Sequence, residues 1–201
     1  MWFKRILISI AYSILHNSVA ILGLPILGVT LLFVSRSSET LPKLFRLWDN
    51  GELYFKETDD PDGLMGPKYY REERGTLYKY DLPFFKVYWE RFNWLALRNP
   101  ADYLKYLLGP KVKDKLTVKE VSGTTNVGDH IGNDVGTYKL VVINGDGKEY
   151  WEYYTIKQYP FANGKYIFRL RLGWKIKDPS DDLEGKRIPF EFSITPIKTR
   201  R

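Results

Sequence analysis

The sequence predicts an α+β protein: an N-terminal transmembrane helix, short aromatic amphipathic helices, then a small antiparallel β-sheet or partial barrel of about five strands. Three observations carry that prediction. No charged residue stands between Arg5 and Arg36. Large rings recur at helical spacing from Phe85 to Phe92. From Leu116 onward the apolar period changes from helical to two. The chain accordingly divides into a membrane-anchor segment (1–35), an aromatic helical connector (36–110) and a β unit (111–201), the last two packing as one soluble domain.

Composition narrows the chemistry. Fifteen Tyr, 11 Phe and 6 Trp make 16% of the 201 residues, which suits a compact β-rich core, a membrane interface, or both. The absence of cysteine removes disulfides, Cys-ligated zinc, iron–sulfur clusters and a thiol nucleophile. His16 and His130 are the two histidines, too few for a metal site built on several of them. No cofactor is expected. The net charge of +7 is uneven: five basic and two acidic residues in 1–50, nine and ten in 51–110, seventeen and twelve in 111–201. A basic half beside an anchor points first to anionic headgroups, then to nucleic acid, with solubility as the plain alternative.

The apolar run ILISIAYSILHNSVAILGLPILGVTLLFV exceeds the roughly 20 residues that cross a bilayer core. One tilted helix kinked at Gly23 and Pro25, an interfacial first turn before a span near Val19–Val34, or a re-entrant hairpin at Gly23-Leu24-Pro25 would each absorb the excess. A single span is the preferred arrangement. Lys4, Arg5 and the small residues Ser18-Val19-Ala20 also fit a signal peptide, but the chain stays apolar for another fourteen residues, so a retained anchor is expected. His16 and Asn17 interrupt the run, either at headgroup depth or as bonding groups between helices. Basic residues flank both ends, so no orientation is read.

Leu44, Leu47 and Trp48 form one greasy helical turn beside Lys43 and Arg46, ending at Asn50-Gly51; it suits the headgroup layer or a domain core. Residues 56–83 read as loop, and the cluster Asp59-Asp60-Pro61-Asp62-Gly63 lacks the further ligands of a calcium loop. Phe85, Tyr88, Trp89, Phe92 and Leu95-Ala96 trace one apolar face, with Lys86, Glu90, Asn93 and Arg98 away from it. That face is either a membrane or partner platform or half of a core. Asn99-Pro100 supplies an N-cap and first position for a helix from Ala101 to Leu108, stopped by Gly109-Pro110. The interface candidates are Trp48, Trp89, Phe92 and Trp94.

Strands are predicted at Leu116–Val121, Thr137–Ile143, Glu149–Ile156, Lys165–Lys175 and Ile188–Pro196, with Asn144-Gly145-Asp146-Gly147 as a hairpin turn. In the fourth strand the odd positions Lys165, Arg169, Arg171 and Lys175 form a basic stripe, a candidate for phosphates of lipid or nucleic acid. Pairing with Glu149 or Glu152 on the neighbouring strand is the alternative. Asp129, His130 and Asp134 in the loop 123–136 have no nucleophile or second base placed with them, so no catalytic group is assigned.

The apolar N-terminus, Leu41-Pro42…Leu47-Trp48-Asp49, Tyr88-Trp89…Trp94-Leu95-Ala96-Leu97-Arg98-Asn99-Pro100 and Arg171-Leu172-Gly173-Trp174-Lys175 follow one another in an order that resembles an uncharacterised family of small proteins of tailed bacteriophages. The resemblance implies a phage origin and membrane association and supplies no catalytic residues. With it, the expected function is a non-enzymatic protein anchored by one span in the host inner membrane, presenting an aromatic/β domain to a protein partner there. The alternative is a virion-associated protein for genome delivery whose basic strand contacts DNA or anionic lipid.

Overall fold

The computed structural model describes residues 2–55, 63–76, 82–123, 135–176 and 183–199. Asp59 to Asp62 and the group Asp129, His130 and Asp134 lie outside them. The architecture is α+β: a long apolar helix, several short helices and an open antiparallel sheet of five strands. The chain separates into two compact units, residues 1–13 with 109–201, and residues 14–108. Helix α1 (Trp2–Thr30) contributes its first part to one unit and the remainder to the other.

In the first unit, β1 (Thr117–Gly123), β2 (Gly136–Ile143), β3 (Glu149–Gln158), β4 (Tyr166–Trp174) and β5 (Phe190–Thr199) form a meander in sequence order. All five predicted strands are present, because alternation and turn chemistry agree. At the β2–β3 turn the Asn144 side chain accepts from the Lys148 amide at 2.8 Å, and Gly147 adopts a φ of 74°. Cross-strand partners share a face, so Tyr154 opposite Arg171 and Ile156 opposite Arg169 place these four on one side. That side holds the larger core, with Leu140, Val142, Ile156 and Ile167 fully buried beneath Val112, Ile176 and Ile188. The other side carries Val141, Trp151 and Leu172. Gly173, with a φ of 103°, lets Trp151 approach: a Cβ there would meet the Trp151 carbonyl oxygen at 2.4 Å and its ring at 2.8 Å.

In the second unit, a 3₁₀ turn (Lys43–Trp48), α2 (Glu52–Phe55), α3 (Lys68–Glu73), α4 (Phe84–Phe92), a π-helical stretch (Asn93–Arg98) and α5 (Asp102–Leu108) surround Leu27, Leu31, Leu64, Trp94 and Leu95. Three expectations are corrected here. Residues 68–73, expected as loop, form α3; Pro67 marks its start, and a single short turn has too little length to show a period. Helix α5 starts at Asp102, since Ala101 has a φ of 48° and takes Pro100 out of the helix; Asn99 instead accepts from Lys105 Nζ at 2.9 Å. The expected apolar face is kept in part: Leu95 and Ala96 are buried and Tyr88 and Phe92 pack on the core, but Phe85 and Trp89 are exposed and the buried residues of α4 are Val87, Glu90 and Arg91.

Two charged residues could turn inward because each has partners. Arg91 donates to the carbonyls of Ser35, Arg36 and Ser38 at 3.1, 2.9 and 2.8 Å, tying α4 to the segment that follows α1. Glu90 is held by Arg74 and by Lys86 at 3.3 Å. Asp49, fully buried, accepts from the Leu41 and Asn50 amides and the Tyr54 hydroxyl. Its burial raises its pKa despite those bonds, and burial with the nearby carboxylate pushes the Tyr54 phenol up to about 12.

Burial opposes ionisation of Glu90, but the bonds and charge of Arg74 and then Lys86 outweigh it and hold the carboxyl below its ordinary range. A lowered folded-state pKa contributes stability above the unfolded value of about 4.3, lost as pH falls through the folded value. Glu90→Gln is therefore expected to cost about 1–3 kcal/mol at pH 7 and to flatten the loss of stability below about pH 4. Urea midpoints measured against pH for both proteins check this; parallel curves would refute it.

Candidate membrane-contact helix

The two sides of α1 are chemically opposite, and the polar side is the buried one. Arg5, Ser9, Ser13 and His16 are buried, spaced four, four and three apart, which is one helical face. The same face continues through Gly23, Leu27 and Thr30. Facing away are Phe3, Leu7, Ile10, Ile14, Ile21 and Val29, all exposed. A helix on the outside of a water-soluble fold shows the reverse arrangement. Among the described residues α1 is the helix long and apolar enough to cross a membrane. It runs unbroken through Gly23 and Pro25, so the hairpin alternative does not form.

Each inward contact is specific. Within the first unit, Arg5 donates to Glu149 at 2.9 Å and lies 4.7 Å from the Trp2 ring centroid. Lys119 and then Arg5 hold the Glu149 carboxyl below its ordinary range. Trp2 meets Trp151 edge-on at 5.9 Å, and Tyr12 packs on Trp174 and Phe190. Within the second unit, His16 Nε2 lies 2.8 Å from the Pro100 carbonyl oxygen, where an N–H on that nitrogen donates. Trp48 donates its indole N–H to Val19 O at 2.8 Å, and Tyr88 donates to Gly28 O at 2.9 Å. Gly23 leaves the space for the Trp48 ring, which a Cβ would enter at 2.3 Å.

The four ring candidates separate. Trp89 is 49% exposed and stacks on Phe92. Trp48 and Phe92 are half-buried against the second unit's core, and Trp94 is a core ring, 5% exposed and packed on Tyr70. The four cations of the predicted fourth strand do not gather on open surface either. Lys165 is exposed, Arg169 and Lys175 are half-buried, and Arg171 is buried. Arg171 donates through Nε and Nη2 to Glu152 Oε1 at 2.8 and 2.6 Å, and its guanidinium lies 5.4 Å from the Tyr154 ring centroid. Glu152 Oε2 accepts from the Ile176 amide. The ion pair with the neighbouring strand is thus the observed alternative for Arg171. Among the described residues no group of three His, Cys, Asp or Glu side chains is placed to hold a metal ion.

Residues 1–201 match a family of unknown function, DUF7338. The chain belongs to that family. No curated protein matches it, and no solved structure does. The membership covers the outward-apolar helix and the sheet alike.

The inward stripe was open to sequence reading, since Arg5, Ser9, Ser13 and His16 share one face. Their company with apolar neighbours on every other side hid it. Removing one partner of a buried ion pair strands the other, whereas replacing both removes the desolvation penalty as well. Arg171→Ala is expected to cost about 3–5 kcal/mol in urea unfolding, and Arg171→Met with Glu152→Leu less than half of that. Additive losses in the double variant would contradict this account of the pair.

Proposed function

We propose that the chain is a non-enzymatic, membrane-anchored protein of bacteriophage origin. It is held at the host inner membrane by α1, where it presents its aromatic/β portion to a protein partner. The observation that supports the anchoring is the outward face of α1: a row of large apolar side chains, from Phe3 to Val29, left uncovered on a helix that turns Arg5, Ser9, Ser13 and His16 inward. A row of that length is far more apolar surface than a free-standing protein leaves in water, and lipid acyl chains are its natural cover. Exposed Leu44, Phe85 and Trp89 of the second unit are among the rings and aliphatic groups available to a partner or to the interface, where Trp is favoured. The phage origin rests on the order of motifs along the chain. The burial of Arg171 against Glu152 weighs against a basic strand that grips DNA.

The test removes the outward face and spares the inward one. Ile14→Gln, Ile21→Gln and Val29→Gln together keep good helix formers at exposed positions and leave Arg5, His16 and Leu27 untouched. Each lost aliphatic contact is worth about 1.5 kcal/mol or more when buried in acyl chains. The triple variant is therefore expected to fall at least about tenfold in the fraction of protein that floats with membranes, with circular dichroism unchanged. Flotation equal to that of the wild type would refute the anchor.

A further inference from the structure

Resting on that membrane reading, we infer that α1 lies in the plane of one leaflet of an anionic bilayer, outward face down, and does not cross. The lateral packing of each part of the helix is the first reason. Residues 2–13 are committed on one side to the sheet of their own unit through Trp2, Arg5 and Tyr12. Beside those contacts stand Glu149, Lys119 and Lys139. Residues 14–30 are committed on one side to their own unit through His16, Val19, Leu27 and Gly28, and that unit carries Glu90, Arg74 and Lys86. Neither part has acyl chains available all round it, and charged groups carried into the hydrocarbon are costly.

Length and polarity give the second reason. A helix of 29 residues is about 44 Å long, well beyond the roughly 30 Å of the hydrocarbon core; a helix lying flat has no such limit. Asn17 stands at its midpoint and is exposed. In a crossing helix that amide would face lipid at the bilayer centre, where nothing offers it water. In a flat one it sits at the flank of the apolar stripe, at headgroup level. Charge selects the surface: Lys4 is exposed beside the stripe, and the first acidic residue of the chain is Glu39, a pattern that attracts anionic headgroups.

Because the chain has no cysteine, single spin labels test this in the full protein. Phe3→Cys, Ile14→Cys, Ile21→Cys and Val29→Cys replace exposed side chains on one face, so folding is spared. Each labelled protein is bound to vesicles of phosphatidylglycerol and phosphatidylcholine, and depth is read from the ratio of oxygen to nickel-chelate accessibility. Flat seating gives four similar depths, about 5–10 Å into the boundary, and binding at least about fivefold weaker on phosphatidylcholine alone. A profile deepest at Ile14 and Ile21 and shallow at both ends means crossing: the inference fails and the membrane anchor stands. Equal binding to both vesicle types overturns the headgroup selection. Labels that stay in water with vesicles present, or that broaden one another through pairing of two copies, overturn the inference and the membrane reading together.

Discussion

A helix that keeps Arg5, Ser9, Ser13 and His16 underneath and Phe3, Leu7, Ile14 and Ile21 on top sets the terms for everything built on it. Buried polar groups must be satisfied, since an unpaired one costs about as much as several good contacts yield. Three of the four have partners: Glu149 for Arg5, the Ser9 carbonyl for Ser13 and the Pro100 carbonyl for His16. The left-handed turn at Ala101 adjoins that carbonyl. The outward face makes the opposite demand, for a cover without polar groups.

The same logic explains which charges went inside. Arg91 reads like a solvent residue in an aromatic helix, yet its fork meets several carbonyls just past the end of α1. Arginine is the side chain that reaches several carbonyls at once. Once Arg91 faces inward, Glu90 at the preceding position is carried with it, and Arg74 with Lys86 keeps it ionised. Phe85 and Trp89 are rotated out as a consequence. Arg171 and Glu152 repeat the device in the sheet.

What the sequence disclosed and what it withheld divide along that line. The strands were legible because period-two alternation and the Asn144–Gly147 turn are local signals, and neither needs knowledge of the other unit. The long apolar helix was legible from its freedom from charge. The face of α4 was not, because Phe85, Tyr88 and Trp89 form a better apolar stripe than Val87, Glu90 and Arg91 until the carbonyls after α1 are known. The basic stripe of β4 was half-legible: Glu152 stands in the adjacent strand, but register alone decides that Arg171 meets it on the covered face. Trp94 looked like an interface ring; Gly66, against which a Cβ would strike the Trp94 ring at 2.6 Å, shows why it packs inside.

The central claim is that lipid covers one side of α1 and protein the other. Photolabelling from the acyl chains tests it most directly: the full protein is bound to vesicles containing a lipid with a diazirine in its tail, irradiated, and mapped by peptide sequencing. The account predicts adducts at Leu7, Ile14, Ile21 and Val29 and none at Ser9, Ser13, His16 or Leu27. Adducts spread evenly around the helix, or confined to the residues that the structure buries, would contradict it.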